Sequence, residues 1–244
     1  DAEVEEEAIF AAKLRCAELK MDEAFRSGKV DLLDEAIKAG EEAGLSVEVI
    51  AQAKVKRMEL VLIGTIPGKN RNTLRQRLQE AEEMGVAEET LVLARRRLAE
   101  LELAEGVKSK STHPDVLRKL IEDAVDKGVD EETIAEARKV LFLKGASYEL
   151  AEASKGDDPK RLQKAIEMAE EAGLDEKVIT EATLRLAIIR LEKATAASNA
   201  EALRETIEAA EELQVSPASL RPARRELARL ELEAAGLDQS ELVR

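Results

Sequence analysis

The chain has 244 residues, of which 37% are charged and only 2% aromatic, and it carries a net charge of −14 at pH 7. That field repels nucleic acid and acidic membrane surfaces, and Phe10, Phe25, Phe142 and Tyr148 are too few and scattered to stack bases. No apolar run approaches the ~18 residues of a membrane span; the longest, residues 60–66, is interrupted by Gly64 and closed by Pro67.

The first predicted element is a lone helix over residues 1–28. Its Val4, Ile9, Ala12 and Cys16 match the second half of a phrase written five times downstream. That phrase opens on Leu33, Leu74, Leu117, Leu162 and Leu203, at intervals of 41, 43, 45 and 41 residues. Four residues on stand Ile37, Leu78, Ile121, Ile166 and Ile207; twelve on, Leu45, Val86, Val129, Leu174 and Val215. Seventeen on come Ile50, Leu91, Ile134, Ile179 and Leu220, and twenty on is always alanine: Ala53, Ala94, Ala137, Ala182 and Ala223. A period of this length marks a stack of similar supersecondary units, with repeats starting near residues 29, 70, 113, 158 and 199.

Each unit reads as a helical hairpin. Leu162, Ile166 and Ala169 fall at helical spacing on a short first helix. Gly173 follows where a left-handed residue closes a helix C-terminus, as do Gly44, Gly85 and Gly128; Gln214 replaces them in the last unit and predicts a less regular turn. Ser46, Asp130, Asp175 and Ser216 then take the N-cap of a longer second helix, whose buried stripe in the clearest copy is Ile179, Ala182, Leu186 and Ile189. The expected fold is all-α: a single α-solenoid domain over residues 1–244, made of one lone helix and five hairpins, eleven helices in all, stacked as an elongated, curved, right-handed array. The phrase should resume near residue 244–248.

The chain opens on Asp1, inside a unit. That fits a piece of a longer repeat protein, a mature chain freed of a targeting segment, as in an organelle lumen such as a chloroplast, or an engineered repeat. The uneven unit lengths weigh against idealised design. Cys16 is the only cysteine, so no internal disulfide exists and the redox compartment, cytoplasm or organelle, stays open. Its place in the phrase predicts a buried structural thiol.

Several motifs resemble chemistry and fall short of it. Gly64, Gly68 and Lys69 outline a phosphate loop, but the glycines are one residue too close, Asn70 replaces the magnesium-binding hydroxyl and a helix precedes the loop. His113, the only histidine, precedes Pro114 at a helix start and has no metal-ligand companions, so capping or exposure is expected. Arg221, Arg224, Arg225 and Arg229 are explained by pairing with Glu226 and Glu231 along one helix.

Two features are candidate partner-binding sites. Acidic pairs recur eight and nine residues into the units: Glu41 and Glu42, Glu82 and Glu83, Glu170 and Glu171, Glu211 and Glu212, with Val125 and Asp126 as the partial exception. Basic residues recur on the second helices at Lys54, Arg95, Arg138 and Arg224, so the acidic row is either a ladder of internal ion pairs or a docking strip for a basic partner. Leu62, Ile63 and Ile66 close one second helix with unusual apolarity and are either core or a contact patch.

The hairpin pattern resembles the tetratricopeptide and HEAT classes of α-solenoid across nearly the whole chain, although the Trp, Gly-Tyr and Pro marks of the former and the Asp and Arg pattern of the latter are missing. The phrase also resembles Ala/Glu/Arg-rich repeats of large algal and protist proteins. The resemblance implies a protein that holds other proteins and carries no chemistry of its own. The expected function is therefore a non-enzymatic scaffold or accessory subunit of a multi-subunit complex, with no cofactor, metal or nucleic acid. An engineered repeat without a natural role, or an enzyme with a dispersed carboxylate site, are the alternatives.

Overall fold

The structure is a computed structural model that describes residues 2–236, with side chains from Glu5 onward. The side chain of Val4, the first match to the phrase, and the resumption of the phrase near residue 244–248 lie outside the described residues. Among the described residues the fold is all-α, without strands. In chain order the helices are α1 (Ala2–Ser27), α2 (Val30–Ala43), α3 (Val47–Thr65), α4 (Arg71–Glu83), α5 (Glu88–Lys108), α6 (Pro114–Asp126), α7 (Glu131–Lys155), α8 (Pro159–Glu171), α9 (Glu176–Ala197), α10 (Ala200–Glu212) and α11 (Pro217–Ala234). The lone first helix and the alternation of short and long helices follow the predicted order.

The helices group into two units, residues 1–137 and 138–244, and the division falls inside α7. In the first unit α1 packs on α2, α2 on α3, α3 on α4, α4 on α5 and α5 on α6, with a lighter contact of α3 on α5. In the second, α8 packs on α9, α9 on α10 and α10 on α11, and α9 also meets α11.

Local chemistry fixes the hairpin turns. After each short helix one residue adopts a positive φ: Gly44, Gly85, Gly128 and Gly173 at 69–74°. The amide after it then reaches back five residues, as in Val86 N–H to the Ala81 carbonyl (3.0 Å) and Leu174 N–H to Ala169 (3.0 Å). This is the Schellman closure. Gln214 departs from the expected irregularity: it adopts φ 57°, and Val215 N–H still donates to the Ala210 carbonyl at 2.9 Å. The apolar pull on Val215, 6% exposed, holds the turn closed against the strain of a left-handed side chain.

Four long helices begin as the sequence predicts. Ser46 accepts the Val49 amide, Asp130 that of Thr133, Asp175 that of Lys177 and Ser216 that of Ser219. Ala87 has the same extended backbone before α5, φ −55° and ψ 135°, but no side-chain acceptor. Four short helices are capped by Asn70, His113, Asp158 and Asn199, whereas Lys29 before α2 offers no side-chain acceptor.

The long helices carry two apolar stripes where sequence analysis recognised one. In α9, Ala182, Leu186 and Ile189 join the core with Leu162, Ile166 and Ala169 of α8. Ala187, Leu191 and Ala194 join a separate core with Leu203, Ile207 and Ala210 of α10. Five residues separate 182 from 187, so the stripes lie about 140° apart around the helix. In α3, Met58 and Leu62 likewise turn away from α2 and pack on Leu74 and Leu78 of α4. The helices α3 and α9 thus serve their own hairpins with one face and the following short helix with the other.

The helix α1 shows why the expectation for Cys16 fails. Its buried residues are Ala17, Met21 and Ala24, and Met21 and Ala24 pack on Leu33, Ala36 and Ile37 of α2. These positions correspond to Ala187, Leu191 and Ala194 of α9, the stripe that faces the following helix. Cys16 belongs to the other stripe, which no described helix covers, and it is exposed.

Candidate partner-binding surface

The acidic pairs sit at the C-terminal turns of the short helices, where the helix dipole disfavours negative charge. In three hairpins the first glutamate is offset by a cation on the long helix. Glu41 meets Lys54 at 2.7 Å, Glu82 meets Arg95 at 2.7 Å and Glu211 meets Arg224 at 2.6 Å. All of these side chains are substantially exposed, so each pair contributes under about 1 kcal/mol. Arg95 also binds Glu88, and the hydrogen bonds that it donates to the two carboxylates raise its pKa further above the usual arginine range, Glu82 contributing most.

The ladder is interrupted at Glu170. The residue that would pair with it is Thr183, whose hydroxyl donates to the Ile179 carbonyl at 2.9 Å. Glu170 and Glu171 are exposed and make no ion pair among the described residues. The second members of the other pairs point outward too: Glu83 accepts a hydrogen bond from Gln79 at 3.1 Å, and Glu212 is exposed. The acidic row is therefore partly a ladder and partly an open strip. The open members are Glu42, Glu170, Glu171 and Glu212, with Glu83 held only by a neutral amide.

The apolar run divides residue by residue. Leu62 is fully buried with Met58, Leu74 and Leu78, and Ile66 packs partly against the same cluster. Ile63, about 100° round α3 from Leu62, is 46% exposed. Burial accounts for Leu62 and Ile66, which leaves Ile63 alone on the surface. The apolar letters alone did not reveal which of them a second stripe would take.

The remaining motifs resolve into structure. Asn70 caps α4 by accepting the Thr73 amide at 3.1 Å, and the Gly68 amide closes a turn on the Thr65 carbonyl at 3.0 Å. His113 caps α6, its Nδ1 accepting the Asp115 amide at 3.2 Å. Arg229 binds Glu226 at 2.6 Å, and Arg204 of α10 reaches Glu231 at 2.7 Å, so the basic cluster on α11 is only partly paired along its own helix. Among the described residues no group of three or more His, Cys, Asp or Glu is placed to hold a metal ion, and no helix is long and apolar enough to cross a membrane.

Fold and surface together define the class: an all-α protein built from repeated helical hairpins. Comparison with protein-family models, with curated proteins and with solved structures found no match to this chain.

Proposed function

We propose that the protein is a non-enzymatic scaffold or accessory structural subunit that binds other proteins within a larger assembly. The observation that carries this reading is the open part of the acidic row. Glu170, Glu171 and Glu212 recur at equivalent places in successive hairpins of the second unit and are exposed without a cation of their own. Repeating a charge at a fixed structural position gives a spaced array, and an array suits an extended basic protein surface better than a small ligand. The net charge of −14 favours the same kind of partner and speeds its encounter.

Size fractionation of the native source tests the reading. The 26.8 kDa chain should migrate in a much larger particle, and replacing Glu170, Glu171 and Glu212 by lysine should release it. A chain that migrates as a free monomer in its source overturns the proposal.

A further inference from the structure

We infer that the groove between α8 and α10 binds an arginine of a partner protein together with the aliphatic residue beside it, the arginine supplying the cation that the repeat lacks at Thr183. The inference deepens the scaffold reading and rests on it for the partner being a protein.

One stripe of α9 carries α8 and the other carries α10. Between those two short helices runs a groove of about 270 Å³. Leu186 and Ala187 of α9 form its floor, Ala209 and Leu213 of α10 line one wall, and Thr183 lines it one turn before Leu186. Leu213 is 42% exposed, so the groove offers apolar surface. Helices of one unit flank it on both sides, and it is open for a reason internal to the repeat.

That reason is Thr183. In three other hairpins the equivalent side chain is Lys54, Arg95 or Arg224, which reaches the first glutamate of the acidic row. Thr183 is shorter and turns its hydroxyl back to the Ile179 carbonyl at 2.9 Å. Because Thr183 lines the groove, a lysine or arginine stem at that position would fill part of it. The substitution therefore leaves two vacancies together, space for an alkyl stem and Glu170 without a cation. Arg190 does not supply the charge. Seven residues separate it from Thr183, about 10 Å along α9. Its guanidinium donates to the Gln163 side-chain oxygen at 3.1 Å, and Glu205 also lines the groove. The groove thus carries one charge of each sign, and Glu170 is left over.

Volume and charge select the occupant. Small-molecule sites run from roughly 300 to 1,000 Å³; this groove is smaller and takes one or two side chains. An arginine fits both vacancies, with its stem along apolar surface and its head at a carboxylate, and its planar fork suits that carboxylate better than an ammonium does. Leu213 adds a second contact for an aliphatic neighbour. The net charge of −14 draws a basic protein to the same place.

The probe is the blocked tetrapeptide Ala-Arg-Leu-Ala, added to the intact isotope-labelled protein. The backbone amide resonances of Thr183, Ala187, Ala209 and Leu213 should shift together and saturate at millimolar peptide. A peptide with citrulline for arginine keeps the stem and loses the charge. It should bind about threefold more weakly, the loss expected for one exposed ion pair. Glu170→Gln should weaken the arginine peptide by the same factor and leave the citrulline peptide unaffected. Glu48→Gln, which removes the same charge from the first turn of α3, should change neither. Thr183→Arg restores the ladder within the chain. It should abolish binding of both peptides while the melting temperature stays at or above that of the parent.

Unchanged resonances at millimolar peptide overturn the inference. So does equal binding of the citrulline peptide, or binding that survives Thr183→Arg. Nuclear Overhauser contacts in the peptide-free protein from the Leu213 methyls to residues outside 159–234 assign the groove to the chain itself, or to a second copy if sedimentation shows dimers, and overturn it as well. Failed peptide binding with the chain still in a large native particle removes only this groove. A free monomer in the source with peptide binding intact removes the scaffold role instead.

Discussion

At the scale of single residues the structure rewards exact chemistry at the helix ends and tolerates departures where burial compensates. Ala87 shows the first half of that rule. Its backbone is set as an N-cap, but the first amides of α5 have no side-chain acceptor. Ala87→Ser should stabilise the protein by about 1 kcal/mol, read as a shift in the urea midpoint at constant slope; an unchanged midpoint would show that water already satisfies those amides. Glu226 shows how a surface carboxylate becomes structural. It accepts two hydrogen bonds from Arg229, at 3.0 and 2.6 Å, and one from Ser198 at 2.9 Å, which ties the left-handed end of α9 to α11. The Arg229 guanidinium foremost, then the Ser198 hydroxyl, hold its pKa down from 4.5 to about 2. A carboxyl depressed in the folded state contributes stability that is complete above its unfolded value and lost as pH falls toward the folded one. Glu226→Gln removes that titration. The midpoint difference between the parent protein and the variant should therefore be largest above pH 4.5, shrinking toward pH 2. A difference independent of pH would show that the carboxylate's charge contributes nothing.

At the scale of the element, most of the fold was legible and one feature was not. The five opening leucines, the positive-φ glycines and the caps at Ser46, Asp130, Asp175 and Ser216 each have a local physical signature, so the short helices and their turns could be read directly. The long helices carry apolar residues on two faces, and a search for one stripe finds only one of them. That is why Leu62 could be read as core or as a contact patch, and why Cys16 was expected to be buried. Its register was correct, but burial depends on a neighbouring helix and cannot be inferred from register alone. The acidic row was legible as a pattern; which members are paired depended on Thr183 standing where Lys54, Arg95 and Arg224 stand, a substitution whose meaning needed the geometry. The recurring alanine is the clearest constraint on these helices. Ala94 is fully buried in a core with Leu74, Leu78 and Ala81 of α4. Ala94→Leu adds three carbons to a site with no room for them, and it should destabilise the protein by about 1–3 kcal/mol. Ala228→Leu, at an exposed position on α11, is the matched control and should change the midpoint little. Equal effects would mean that the α4–α5 interface has slack that its burial does not suggest.

At the scale of the molecule, the pattern of packing sets how damage spreads. Within the first unit the packing contacts among the described residues run between helices next to each other or two away in order. Stability in such an array is close to a sum of hairpin terms and nearest-neighbour interface terms. Leu74 sits in one core with Met58 and Leu62 of α3, Leu78 and Ala81 of α4, and Leu91 and Ala94 of α5, while α1 and α2 share a different one built on Met21, Ala24, Leu33 and Ile37. Leu74→Ala removes a fully buried side chain at a cost of about 2–5 kcal/mol. Hydrogen exchange should then accelerate strongly in the backbone amides of α3, α4 and α5, because the free energy of local opening falls there by nearly the whole amount. The amides of α1 and α2 should respond much less, since no side chain in their core is lost. A uniform acceleration from α1 to α5 would instead reveal one cooperative block, in which the short and long helices lose their native packing together however far they lie from the lost side chain.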